Sequence, residues 1–187
     1  MPPAPPSLLS RQNSLLLIID PQTRLMPAIE EAEAVTARIG LLIDAARLLD
    51  VPVLATEHCP TAIGPLLPAL RSRLEAEEIL EKRHFGAWAE PHVRQAITDS
   101  GCRQIILAGA ETHVCVAQTA LALQGAGYQT FIASDAVGSR RALDRQTALQ
   151  RLAQAGVVPV TMEMALFEWL ENADHPAFRQ VLEIVKA

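Results

Sequence analysis

Residues 14–19, SLLLII, are apolar at every position after Ser14, and the run breaks off at an aspartate, Asp20. A half-solvated strand alternates apolar and polar side chains. A strand without that alternation is buried on both faces, as in a parallel sheet covered by helices. This one run therefore excludes most all-helical and antiparallel architectures. It also places Asp20-Pro21-Gln22 at the carboxyl end of a central strand, where open parallel sheets hold their ligands. An Asp before Pro is equally a common turn residue, so position alone does not assign Asp20 a role.

The chain after Asp20 alternates in the way such a sheet requires. Residues 31–49 carry apolar side chains at helical spacing: Val35, Ile39, Leu42, Ile43 and Ala46. Residues 51–56 read as the second strand, followed by Glu57-His58-Cys59-Pro60. Residues 63–73 hold Gly64, Pro65 and Pro68 and read as a loop with room for a short helix. Ile79-Leu80 marks a short third strand with Lys82 at its end. Residues 91–100 form a helix closed by Gly101. Residues 105–108 are the fourth strand and 114–123 the helix after it. Residues 128–133 and 157–161 are the fifth and sixth strands, with a helix at 140–155 between them. Helices at 163–170 and 177–185 end the chain. The expectation is α/β: a three-layer α/β/α sandwich around a six-stranded, mostly parallel, Rossmann-like sheet.

Composition narrows the function. The 187 residues suit one domain, read as a flexible tail over 1–13 and a single domain over 14–187. A net charge of −5 gives no footprint for nucleic acid. No apolar run approaches the ~20 residues of a membrane helix. Three cysteines without a CxxC pair give neither a disulfide framework nor a zinc ribbon, so a reducing, cytoplasmic setting is expected. No GxGxxG follows the first strand and no Walker motif occurs. Thr56-Glu57-His58-Cys59 has metal-like residue types without a ligand interval that repeats. No metal and no cofactor are expected.

Three chemically suggestive residues end three different strands: Asp20, Lys82 and Cys115. Parallel strands bring such ends to one edge of the sheet. Cys115 lies in the first turn of the helical run after Gly109-Ala110, where free N–H groups and the helix dipole favour a thiolate. A free cysteine is also commonly a small buried hydrophobe. With Lys82 and Asp20 beside it, Cys115 would be an activated nucleophile. Lys82 and the helix end are expected to outweigh Asp20 in setting its acidity. Lys82 would stabilise the thiolate, and Asp20 would take the thiol proton and hand it on. Phe85 and Trp88, two of few aromatics, suggest a partly apolar pocket near Lys82. The candidate pocket set is Gln22, Glu57, His58, Phe85 and Trp88. Leu166, Phe167 and Trp169, with Met162 and Met164, are core or part of a contact between subunits.

The runs LLLIIDPQ at 15–22, TEHCP at 56–60, EKRHFGAW at 81–88 and LAGAETHVCVAQTALAL at 107–123 together resemble the isochorismatase-like hydrolase superfamily. The resemblance implies a cysteine hydrolase with Asp20, Lys82 and Cys115 as catalytic residues. It also implies a cis peptide before Glu111, whose N–H would join that of Cys115 in an oxyanion hole. A small-molecule substrate and a homo-oligomer are further implications. The nicotinamidase branch carries an Asp-x-His metal motif after its second strand, where this chain has Thr56-Glu57-His58. True isochorismatases lack the cysteine, so Cys115 argues against isochorismate as substrate. Gly86 stands where many relatives carry Ser. The expected reaction is cleavage of a C–N bond in a small amide through a Cys115 thioester. The alternative is a non-catalytic or weakly active, small-molecule-binding or oligomeric member of the same fold.

Overall fold

The computed structural model describes residues 8–186. Six strands form one sheet in the order β3-β2-β1-β4-β5-β6, and every pair is parallel. They are β1 Ser14–Ile19, β2 Val53–His58, β3 Ile79–Lys82, β4 Gln104–Ala110, β5 Gln129–Gly138 and β6 Val158–Val160. The helices are α1 Ala32–Leu48, α2 Pro60–Ile63, α3 Pro68–Arg71, α4 Pro91–Asp99, α5 Ala117–Gly125, α6 Ala142–Gln154, α7 Met162–Leu170 and α8 Phe178–Lys186.

The two faces of β1 explain its composition. Leu16 and Ile18 join a core with Ile39, Leu42 and Ile43 of α1, Trp169 of α7 and Val181 of α8. Leu15, Leu17 and Ile19 point the other way, to Val93 and Ile97 of α4, Ala120 and Leu123 of α5 and Leu152 of α6. All five are fully buried, each worth about 1.5–3 kcal/mol over an exposed side chain. The three-layer α/β/α sandwich is therefore present, with β1 central. Strand order turns back between β1 and β4, so their carboxyl ends flank the crevice of an open sheet.

Gly109 is what lets β4 lie against β1 there. Its φ is +118°, and a Cβ would stand 2.0 Å from the Ile19 carbonyl oxygen. Only glycine satisfies both conditions.

Several boundaries move from the sequence reading. β2 starts at Val53, after Pro52, which has no N–H to give a ladder, and runs on to include Glu57 and His58. β5 continues through Ser134 and Asp135 to Gly138. Residues 1–7 of the expected flexible tail lie outside the described residues. The expectation is corrected for 8–13: Leu9 is buried, its N–H donates to Glu168 Oε2 at 2.7 Å, and Ser10 N–H donates to Gln104 Oε1 at 2.7 Å. Of the C-terminal apolar cluster, Met162, Leu166 and Trp169 are core, whereas Met164 and Phe167 are exposed.

Candidate active site

Asp20, Lys82 and Cys115 converge at the carboxyl edge of the sheet. Asp20 follows β1 with φ +50° and is fully buried. Its N–H donates to Thr56 O at 3.2 Å, and Thr56 Oγ1–H donates to its Oδ1 at 2.7 Å. Its Oδ2 lies 2.7 Å from Lys82 Nζ, both side chains being essentially without solvent contact. The Lys82 ammonium also donates to His84 O at 3.1 Å and Phe85 O at 2.9 Å. Two of its three protons are thus fixed on carbonyls, with the Asp20 carboxylate beside it as the counter-charge.

Cys115 sits in a single wide turn, Thr112–Val116, between β4 and α5. Val116 N–H reaches back to Glu111 O at 3.2 Å, an i→i+5 closure of the kind common near functional sites. The peptide between Ala110 and Glu111 is cis. The Cys115 carbonyl accepts from Thr119 Oγ1 at 2.7 Å, and that hydroxyl oxygen accepts from Ala87 N–H at 2.9 Å. The Cys115 turn and the loop after Lys82 are therefore tied together. Gly86 lies against Gln118 of α5, at a distance where a Cβ would make ordinary contact.

The electrostatics reverse one expectation. Burial, and then the Asp20 charge, push the Cys115 thiol up to about 12; Lys82 pulls the other way and loses. The sequence reading had Lys82 and the helix end outweighing Asp20. The correction comes from desolvation, since a buried sulfur disfavours its own anion. Burial likewise raises the Asp20 carboxyl above its ordinary value, against Lys82, Thr56 and Cys115, which each lower it. The thiol keeps its proton at rest, next to a carboxylate whose basicity is enhanced.

The other candidate residues divide. Gln22 is fully buried, and its amide is taken up by backbone. It accepts from His58 N–H at 2.7 Å and donates to His58 O at 3.0 Å and Gly64 O at 2.5 Å. Glu57 points to the other face of β2, accepting from Leu66 N–H at 2.8 Å and Arg71 Nη1 at 2.9 Å. His58 pairs with Lys82 in register, and its ring lies 5.3 Å from that of Phe85. Burial, then the Lys82 charge, lower its pKa. Phe85 is half exposed, at 52%. Trp88 packs edge-on against Tyr128 at 5.3 Å. Glu111 is buried, and its carboxylate accepts from Arg140 Nε at 3.0 Å.

Thr56, Glu57 and His58 are thus committed to Asp20, to Arg71 and to the Phe85 loop, and do not converge on a metal. Among the described residues, no three His, Cys, Asp or Glu side chains do so. Two clefts flank the loop after Lys82. One, of about 500 Å³, is lined by Phe85, Gly86 and Gln118; the other, of about 430 Å³, by Cys59, Glu81 and Glu90.

Two residues at this edge had no role in the sequence reading. Thr56 hydrogen-bonds Asp20, and only its place at the end of a strand beside β1 could have pointed to it. Glu90 gathers the loop after Lys82 through Oε1, and its place before Pro91 reads as an ordinary helix start.

Comparison with known proteins identifies the family and the fold. The Isochorismatase domain model matches residues 14–164. Isochorismatase domain-containing protein 1 of Danio rerio is 34% identical over 179 residues, covering 95% of this chain and 62% of its own. With its Salmo salar counterpart, covered over 59%, this means the chain spans about three fifths of the length of these relatives. The MAR1 ribonuclease structure from Caenorhabditis elegans superposes with a TM-score of 0.91 at 30% identity, over 97% of this chain and 93% of that one. The YcaC gene product of Escherichia coli, described as an octameric hydrolase of unknown specificity, gives 0.87 at 24%, over 98% of each chain. On the match over 14–164 and the shared parallel fold, the chain belongs to the isochorismatase-like hydrolase superfamily.

Proposed function

We propose that the protein is a cysteine amidohydrolase that cleaves the C–N bond of a small amide with Asp20, Lys82 and Cys115. The observation that carries this reading is the buried Lys82–Asp20 ion pair at 2.7 Å beside a buried thiol. Burying two charges costs several kcal/mol per ion before their attraction repays it. A fold keeps such a pair most readily where it is used.

The sulfur is a thiol at rest, so attack and proton transfer belong to one step. Cys115 Sγ bonds to the amide carbonyl carbon as its proton passes to Asp20. The N–H groups of Glu111 and Cys115 hold the resulting oxyanion, a contribution of about 2.7–4 kcal/mol per donor in other hydrolases. Asp20 then gives the proton to the leaving nitrogen, the C–N bond breaks and ammonia departs. Water attacks the thioester with Asp20 as base, and the proton returns to sulfur. Lys82 keeps Asp20 ionised between these transfers. Phe85 and His58 shape the entrance. The sum is amide plus water to acid plus ammonia, with no cofactor. The small substrate, assembly into a homo-oligomer as in the E. coli neighbour, and cytoplasmic residence belong to the same reading.

A second reading, a non-catalytic small-molecule binder, draws on the thiol held up at about 12. RNA cleavage, suggested by the name of the C. elegans neighbour, fits poorly with a net charge of −5. An ammonia-release screen over small primary amides separates these, with an RNA substrate as control. Release by the wild type and none by Cys115→Ala supports the hydrolase; release equal in both overturns it.

A further inference from the structure

Lys82 is the only one of the three central residues whose charge is set in place by a loop. The carbonyls that hold its ammonium, His84 O and Phe85 O, belong to the turn after β3. A turn of four residues ending in glycine has little packing of its own to fix where those carbonyls point. One carboxylate does so. Glu90 Oε1 accepts from Arg83 N–H at 2.7 Å, from His84 N–H at 2.9 Å and lies 2.9 Å from His84 Nδ1. The far side of the turn is fixed separately, by Ala87 N–H on Thr119 Oγ1.

We propose that Glu90 is a positioning residue for the active site: by closing the 83–86 turn it aims His84 O and Phe85 O at Lys82, and so holds the ammonium against Asp20. The hydrogen bonds from His84 and Arg83 keep the Glu90 carboxyl down at about 2, so it is ionised throughout the working range. The inference rests on the reading of Lys82 as the charge that keeps Asp20 ionised beside Cys115. Without the two carbonyls, Lys82 loses its fixed direction. The thiol then loses the counter-charge that draws its pKa down.

The test is the rate of Cys115 alkylation by iodoacetamide at a fixed, mildly alkaline pH, read by peptide mapping of the full chain. Glu90→Ala slows it by about tenfold, the size of a one-unit change in a pKa, toward the rate of Lys82→Ala. Glu90→Asp, whose carboxylate is drawn back from the turn, slows it too, and carries the comparison should Glu90→Ala not fold. Glu90→Gln keeps an oxygen in place of Oε1 and stays within about threefold of wild type, half a unit. In the Lys82→Ala background, Glu90→Ala adds no further slowing, as expected of two residues acting as one unit. If Lys82→Ala leaves the rate unchanged, the reading of Lys82 fails and takes this inference with it. If Lys82→Ala slows alkylation but neither Glu90→Ala nor Glu90→Asp does, the inference alone is wrong. It is equally wrong if Glu90→Ala is as damaging without Lys82 as with it.

Discussion

Lys82 Nζ stands 2.7 Å from Asp20 Oδ2 although β2 lies between their strands. Neighbouring strands are about 4.8 Å apart, so β3 and β1 are separated by roughly 10 Å. A lysine reaching across to an aspartate closes that gap, and shorter cations do not. Thr56, on the strand between, hydrogen-bonds the same carboxylate at 2.7 Å. The three adjacent strands β3, β2 and β1 thus each supply one part of a single buried unit.

Asp20→Asn tests whether the carboxylate moves protons or only shapes the field. As general base and acid, its loss lowers amide turnover by about 10²–10⁴-fold. Its charge is also one cause of the high Cys115 pKa. Iodoacetamide alkylation of Cys115 therefore holds steady or quickens in the same variant. Turnover within twofold of wild type would rule out the proton-transfer role. The variant strands the Lys82 charge in the interior, and urea titration is expected to show a loss of about 3–5 kcal/mol.

Thr56→Val keeps the shape of the side chain and removes one donor to Asp20. A hydrogen bond to the charged form lowers a carboxyl pKa, and Thr56 does so here. Without it the Asp20 pKa rises further. The acid limb of the pH–rate profile moves to higher pH, because a larger share of the base is protonated at any given acidic pH. A limb that stays in place, or moves to lower pH, would contradict the assignment.

Cys115→Ser tests the thiol pKa through stability. The ordinary thiol value is 9.0 and the folded one about 12. Below the lower value the sulfur is protonated in both states and contributes no slope. Between the two, the unfolded chain ionises first, so stability falls as pH rises, by up to about 1.4 kcal/mol per unit from this group. Urea midpoints of wild type against Cys115→Ser should diverge across that window and run parallel below it. Parallel curves throughout would mean that the thiol is not perturbed.

Gly109→Ala should be the most damaging single methyl in the sheet. The new Cβ meets the Ile19 carbonyl at 2.0 Å in a backbone with φ +118°. Neither β1 nor β4 can move away without opening the crevice. A loss of roughly 3 kcal/mol or more is expected in thermal or urea unfolding. A loss under 1 kcal/mol would show that the two strands do not approach as described.

What could be read in the sequence follows from how local each feature is. β1 was legible because SLLLII carries its environment in its own pattern. Asp20 and Lys82 were legible as strand-end residues, since parallel topology alone brings strand ends together; Cys115, read the same way, lies past the end of β4 in the turn Thr112–Val116. The bounds of β2 were not legible, because Pro52 delays its start and pairing with β3 extends it through His58. The work of Gln22 and Glu57 was hidden as well. Both hold the segment after β2 through backbone groups at Gly64 and Leu66, a contact that only tertiary structure creates. The sign of the Cys115 shift was beyond reach for the same reason. It is a contest between burial and two charges, decided by depth and distance rather than by residue type.

The central claim is that Cys115 carries the acyl group during turnover. The direct measurement takes the small amide that releases most ammonia in the screen, quenches the reaction in acid within the first turnover, and maps adducts by mass spectrometry. The account predicts an acyl mass on Cys115 alone, removed by hydroxylamine as a thioester is, and absent from Asp20→Asn quenched at the same time. Ammonia release at full rate with Cys115 unmodified throughout, or an acyl group found on Cys59 instead, would contradict it.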